Sequence, residues 1–289
     1  MLSFMATVLL DGISYGMILF LISVGLTVTM GLMRIVNLAH GAFAMIGGYV
    51  AGYLTQNGGN FYLALLAAAV VAAMLGAIAE LTIYRPLYRK GELAQVLLTI
   101  GIVFVATGAI TEIFAAFPYP VVLPDYLTGP VDIGFRGYPA YRLFLIAVGA
   151  VIAAVLWIVV DGSIYGARLR AAVDNPRMAR AVGIDVNLLF TGTFIVGCAL
   201  AGLGGAIGAG ILSLEPAYAL KYIVLFLVVV IVGGEGSFGG SFVAAIALGI
   251  IDTLGKYFVA EAAPYLLYVA VFALLLWRPK GLLSAKSAA

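Results

Sequence analysis

Charge is what this sequence has least of. Only 10% of its 289 residues are Asp, Glu, Lys or Arg, against about 25% in average soluble domains. So little polar surface cannot cover a core in water, which excludes a soluble globular domain. Histidine occurs once, as His40, and cysteine once, as Cys198. One cysteine closes no internal disulfide and holds no metal alone. There is no Ser-His-Asp set and no CxxC, so no catalytic constellation is written into the chain and any energy source has to come from a partner. The net charge of +2 is too small to suggest nucleic acid. No Lys or Arg precedes Arg34, so no positively charged leader of the cleavable kind is expected.

Apolar residues are there in abundance: 64% of the chain, with a mean hydropathy of +1.17. They form continuous runs of about 20 residues, the length that crosses roughly 30 Å of hydrocarbon as helix. The runs do not alternate, which argues against an outer-membrane barrel. The expected fold class is therefore an all-α polytopic membrane protein with about 8–9 transmembrane helices. The segments read as 5–30, 38–56, 61–84, 93–117, 142–160, 188–212, 222–233, 241–258 and 262–277. Gly41, Gly47, Gly48 and Gly52 give the second segment the option of re-entering rather than crossing. Residues 222–233 are short for a span at about 1.5 Å per residue and predict a short, broken helix. The whole of 1–289 reads as one transmembrane domain. It carries an outer loop at about 118–141 and a cytoplasmic loop at about 161–187.

Basic residues set the orientation. An odd number of spans with the C-terminus inside places Arg34, Arg85, Arg89, Lys90, Arg168, Arg170, Arg177, Arg180, Arg278, Lys280 and Lys286 in the cytoplasm. Only Arg136, Arg142, Lys221 and Lys256 stay outside. The asymmetry predicts N-terminus outside and C-terminus cytoplasmic. Trp157 and Trp277 fall near inner span ends, as interfacial anchors do. The 118–141 loop, with five prolines and three glycines, predicts an ordered, turn-rich cap.

One polar stretch stands out in the inner loop, "AAVDNPRMARAVGID" from Ala171 to Asp185. It predicts a helix of about two turns. Asp174 or Asn175 serves as N-cap, Pro176 takes the first helical position, and Gly183 makes the left-handed stop. Arg177 and Arg180 share a face, with Met178, Ala179, Ala181 and Val182 elsewhere. Two readings stay open on the residues alone. One rests the helix on anionic headgroups of membrane lipid. The other docks it as a knob into a cytoplasmic partner.

Other residues are weighed as pathway or gate candidates. Asn37 and His40 either line a pathway or fix the turn at Arg34, and the structural role is preferred. "GGEGSFGG" from Gly233 lacks the Lys-Ser/Thr of a phosphate loop. Its Gly234, Glu235 and Gly236 read as a flexible turn between two short helices at the inner surface. Asp252 and Lys256 form an i,i+4 pair. Asp11 and Glu112 fall near outer ends, and Glu80 lies near the inner surface. No chain of carboxylates suited to a proton relay is apparent. Gly48 and Gly52, like Gly204 and Gly208, have the spacing that lets helices approach closely.

An inner-loop stretch and four further stretches in order carry a resemblance that runs nearly end to end. "RAAVDNPRMARAVGID" has the form of the cytoplasmic loop of bacterial ABC-importer permeases. "GLTVTMGLMRIVNLAHGAFAMIGGYVA", "RPLYRKGELAQVLLTIGI", "VVVIVGGEGSFGGSFVAAIALGIID" and "LLLWRPKGLL" look like the branched-chain amino acid permeases of the LivH type. Glu235 stands where that family more often carries an apolar residue. The resemblance implies a permease subunit in the bacterial inner membrane. It implies cytoplasmic ATPase subunits that hold ATP and Mg, a second permease subunit, sister or identical, and a periplasmic substrate-binding protein. No cofactor is expected on this chain, and residues 174–183 become the coupling element to the ATPase. A stand-alone channel or secondary transporter for a small neutral solute such as urea or an amide is the competing reading.

Overall fold

The computed structural model describes residues 2–33, 37–87, 90–115, 117–134, 136–234, 236–279 and 281–283. Every apolar run forms a helix, because a backbone in hydrocarbon must satisfy its own N–H and C=O groups. The helices are α1 (Leu2–Met33), α2 (His40–Gln56), α3 (Phe61–Ala79), α4 (Glu92–Phe114), α5 (Ala140–Asp161), α6 (Ile164–Asp174), α7 (Pro176–Ala181), α8 (Val186–Gly208), α9 (Tyr218–Gly233), α10 (Phe238–Phe258) and α11 (Ala263–Trp277). α3 runs on through a π turn at Glu80–Tyr84 to Leu87. Among the described residues, six helices are long and apolar enough to cross a membrane: Ser3–Thr27, Phe61–Leu87, Leu93–Phe114, Ala140–Asp161, Val186–Gly208 and Phe238–Phe258. α9 and α11 are shorter apolar helices. α9 is unbroken and begins at Tyr218, ahead of the segment read from sequence.

The apolar helices alternate in direction. Tyr257 near the end of α10 meets Asp11 near the start of α1, and Tyr141 at the start of α5 donates to the Ile207 carbonyl at the end of α8. The 118–141 loop is ordered at that end. It holds a single turn at Asp125–Thr128 and an antiparallel hairpin pairing Pro130–Asp132 with Gly137–Pro139. Gln56 donates to the Pro120 carbonyl at 2.8 Å, and Tyr119 N–H to the Leu214 carbonyl at 2.9 Å. We call this the hairpin end; α6 and α7 lie at the other.

α1 is the central helix. Its residues Ile18, Leu19, Phe20, Leu21 and Ile22 are buried, enclosed by α8 and α10. α8 packs on both sides through glycine. A Cβ at Gly204 would press on Ile22, and one at Gly205 would land on the Ala44 carbonyl of α2. Small residues at such crossings let backbones come close, and dispersion then holds the helices where lipid offers no hydrophobic drive.

α2 does not start where α1 ends. His40, its first residue, bonds through Nε2 to the Ile22 carbonyl at 2.7 Å. Ile22 lies about 16 Å along the helix from Met33. The chain thus returns beside the body of α1, and α2 then runs on to the hairpin end, where Gln56 meets Pro120, so the second segment does not take the re-entrant option that its glycines left open.

Candidate functional site

The charged stretch folds as read, with one choice resolved. Asn175 is the N-cap of α7, its Oδ1 accepting from Met178 N–H at 3.0 Å. Asp174 instead closes α6, whose own N-cap is Ser163. Pro176 occupies the first helical position. Gly183 adopts φ +86°, a conformation that glycine reaches without steric cost. Around it, Ile184 N–H donates to the Ala179 carbonyl and Gly183 N–H to the Arg180 carbonyl, each at 3.0 Å. That pair of bonds is the Schellman closure, which satisfies the last carbonyls of the helix.

Burial divides the face of α7. Ala179 is only 3% exposed and packs with Ala172 of α6 and Val186 of α8. It is therefore not free to enter a partner's cleft, a correction to the reading that treated Ala179 and Ala181 alike. The reason is tertiary: α6 and α8 close over one side of so short a helix. What α7 presents outward is Met178, 62% exposed, and Val182, 70% exposed. Arg177, Arg180 and Ala181 are exposed beside them. A groove of ≈ 770 Å³ runs below, bordered by Val182, Gly183, Leu188 and Tyr165 among others. Leu188, capped by Asp185 at the start of α8, is 70% exposed and Ile164 is 73% exposed. Two capped helices thus display an apolar surface ringed by arginines, at the end of the bundle where α3, α5 and α9 finish. The sequence reading missed Leu188, which opens an ordinary apolar run, and Ile164, a lone apolar residue in the polar stretch DGSIYGARLR.

Behind this surface lies a buried polar link. Thr191 of α8 donates to Glu80 Oε2 at 2.9 Å, and Arg85 donates to Thr191 at 2.8 Å while lying 3.5 Å from the same carboxylate. Glu80 opens the π turn of α3, and Tyr84 closes it. Tyr84 OH donates to Asn37 Oδ1 at 2.8 Å, which also accepts from Ala39 N–H. Asn37 and His40 are completely buried. A carbonyl only accepts, so Nε2 of His40 carries the proton toward Ile22. Both residues hold the start of α2 beside α1, while the turn at Arg34 that they were expected to fix lies outside the described residues.

Two glycines of the α9–α10 turn have left-handed backbone. Gly234 is buried at φ +98°, and Gly236 has φ +76°. Leu282 N–H donates to the Val232 carbonyl at 2.8 Å and Leu283 N–H to the Gly233 carbonyl at 3.2 Å. Leu282 and Leu283 therefore clamp the end of α9 at the turn, and α10, with 21 residues, is not short. Glu235 lies outside the described residues, as do Arg34, Arg89, Lys280 and Lys286 of the basic set.

The hairpin end carries the remaining membrane charges. Asp11 accepts from the Tyr138 and Tyr257 hydroxyls at 2.8 Å each, and from Arg142. Burial and the Asp11 carboxylate push the Tyr138 hydroxyl above the usual phenol range. Lys256 pairs with Asp252, as the spacing predicts. Among the described residues no group of three or more His, Cys, Asp or Glu is placed to hold a metal.

Three comparisons bear on this arrangement. The profile of the family described as "Branched-chain amino acid transport system / permease component" matches residues 8–277. The chain is similar to the probable branched-chain amino acid transport permease LivH of Methanocaldococcus jannaschii, 28% identical over 93% of this chain and 87% of that one. It is similar to LivH of Escherichia coli K12, 25% identical over 94% and 93%. It is also similar to BraD of Pseudomonas aeruginosa, 24% identical over 95% and 94%. In fold it resembles a chain of PsaBC from Streptococcus pneumoniae, solved in complex with Fab, with a TM-score of 0.52 and 15% identity over 95% of this chain and 90% of that one.

Proposed function

Because this chain belongs to the branched-chain amino acid transport permeases, we propose that it forms half of the membrane pathway of an ATP-driven importer and couples through α7 to a cytoplasmic ATPase. The observation that carries the coupling is the apolar, arginine-ringed face of Met178 and Val182 on a helix held rigid by caps at both ends. A two-turn helix is unstable alone. Here Asn175, Gly183 and the buried Ala179 fix it to α6 and α8, so a push on its outer face moves α8 as a body. α8 crosses the bundle between α1, α2 and α3, where the pathway would open and close.

In this reading the α6–α7 end is cytoplasmic and the hairpin end faces outward, with the N-terminus outside and the C-terminus inside. The ATPase pair binds ATP and Mg. A periplasmic substrate-binding protein meets the ordered 118–141 loop and the neighbouring Glu215–Tyr218 segment. A second permease subunit supplies the other half of the pathway, and lipid covers the remaining apolar surface. The substrate is a branched-chain or related amino acid.

The test is copurification of this chain with its ATPase and binding protein, followed by ATP hydrolysis in nanodiscs with leucine, isoleucine or valine added. Stimulation that needs both the binding protein and the amino acid supports the importer. Urea or amide flux without ATP or any partner overturns it in favour of a stand-alone channel.

A further inference from the structure

A narrow apolar groove of ≈ 400 Å³ lies between α5 and α10. Ala150, Ala154, Trp157 and Asp161 line one wall, at the spacing that keeps a single stripe of α5 in view. Phe238 and Phe242 line the other, one turn apart on α10. At the bottom Phe20 of α1 meets Phe242 edge to face, with ring centroids 5.2 Å apart. Gly239 keeps the α10 wall low, since a Cβ there would meet only Leu283, at 4.0 Å. Ala150, Ala154 and Gly239 are exposed, so no described helix of this chain covers the groove.

Length and breadth decide what fits. From Asp161 to Ala150 the groove follows about 16 Å of helix, which matches one leaflet, half of the roughly 30 Å hydrocarbon core. A second helix of that length, about 10–12 Å wide, fills about 1,200 Å³ or more. The groove therefore takes a single chain and not a helix. Its mouth, at the α6–α7 end, is charged. The Asp161 carboxylate is 53% exposed, and the Arg170 guanidinium stands 3.7 Å from its Oδ1, too far for a hydrogen bond. Arg170 Nη1 donates instead to the Val160 carbonyl at 2.6 Å. A guanidinium carries five N–H groups, so donors remain for a further anion. Trp157, one turn in from Asp161, is exposed at the depth where interfacial indoles sit.

We propose that this groove binds a molecule of phosphatidylethanolamine. One acyl chain lies along α5 over Phe20 and Phe242, the headgroup ammonium donates to Asp161, and the phosphate faces Arg170. A carboxylate beside a guanidinium complements an ammonium joined to a phosphate. A choline headgroup has no N–H to donate, and a headgroup with phosphate alone brings like charge to Asp161. The site needs neither an ATPase nor a transported substrate, so it stands apart from the importer reading.

The experiment is quenching of Trp157 fluorescence in the full-length chain, held in phosphatidylcholine nanodiscs. Trp277→Phe leaves Trp157 the sole tryptophan. Phosphatidylethanolamine, phosphatidylcholine or phosphatidylglycerol with brominated acyl chains is titrated in. Quenching by phosphatidylethanolamine should saturate, and at about fivefold lower mole fraction than the other two, the effect of one exposed charge pair. Asp161→Asn should erase that preference. Ala154→Phe should fill the groove and leave only quenching that rises in proportion to the brominated lipid. Thermal unfolding of each variant checks that it is folded. Asp161→Asn, a change of charge at an exposed site, carries the test if Ala154→Phe fails to fold. Equal and proportional quenching by all three lipids before the groove is filled overturns the proposal, as does a preference that Asp161→Asn leaves intact. A crosslink from Ala154→Cys to another subunit of the copurified complex would give the groove to protein and overturn it too.

Discussion

Thr191 donates its hydroxyl hydrogen bond to Glu80 Oε2 at 2.9 Å, joining the second turn of α8 to the π turn of α3. Arg85 completes the link from the other side of the threonine. Thr191→Val removes the donor while keeping the shape, so a buried carboxylate loses a bond worth about 1–3 kcal/mol. Thr191→Ser keeps it. Thermal unfolding of the purified subunit should show Val well below wild type and Ser close to it. Equal midpoints for all three would refute the link.

The outer face of α7 separates docking from lipid contact. Met178→Glu and Val182→Glu place charge on exposed positions, so the chain should reach the membrane at normal levels yet lose ATPase association. Arg177→Ala and Arg180→Ala should be milder. If the helix instead rests on headgroups, the arginine pair matters most, at about 1 kcal/mol each, and vesicle binding of the loop reports it.

Ala179→Glu should behave unlike either set. Its carboxylate would be forced between Ala172 and Val186, with a penalty of several kcal/mol. Reduced membrane levels are expected, and normal levels with lost ATPase association would show that Ala179 faces the partner after all. Gly183→Val meets no atom within 4 Å but keeps φ +86° only under strain, about 1–2 kcal/mol, so it should distort the cap and spare the bundle.

Orientation is tested by single cysteines in a Cys198→Ala background. An impermeant maleimide added outside should label Asp125→Cys and not Arg177→Cys, which should react only after the membrane is opened. Outside labelling at residue 177 would invert the topology and remove the coupling proposal.

Glycines of α8 should divide sharply. Gly205→Val drives a side chain into the Ala44 carbonyl, whereas a Cβ at Gly192 finds only Tyr165 OH, at 3.9 Å. Gly192→Ala should therefore be neutral or stabilise by about 0.5–1 kcal/mol. Gly205→Val should fail to accumulate as folded protein, judged by size-exclusion elution.

The helices were legible because lipid leaves the backbone so few options: length and continuous hydropathy put a helix in each of the nine apolar segments, though not the unbroken course of α9 or the start of α2 beside Ile22. Capping was legible too, since Asn, Pro and Gly act on their own neighbours. Choosing Asn175 over Asp174 was not, because both residues cap well and the decision rests on where α6 ends. The burial of Ala179 depends on Ala172 and Val186 arriving from two other helices. The return of His40 beside Ile22 and the π turn at Glu80 have no local signature, being set by which helices pack on α1.

The clamp on the α9–α10 turn also orders events during synthesis. Val232 and Gly233 receive their partners from Leu282 and Leu283, made about fifty residues later, a delay of several seconds at ribosomal speeds of about 5–20 residues per second. Until then the two helices enter the bilayer with their connection unfastened. A ribosome stalled just short of Gly281 would thus expose an unfinished latch to quality-control proteases at the membrane surface.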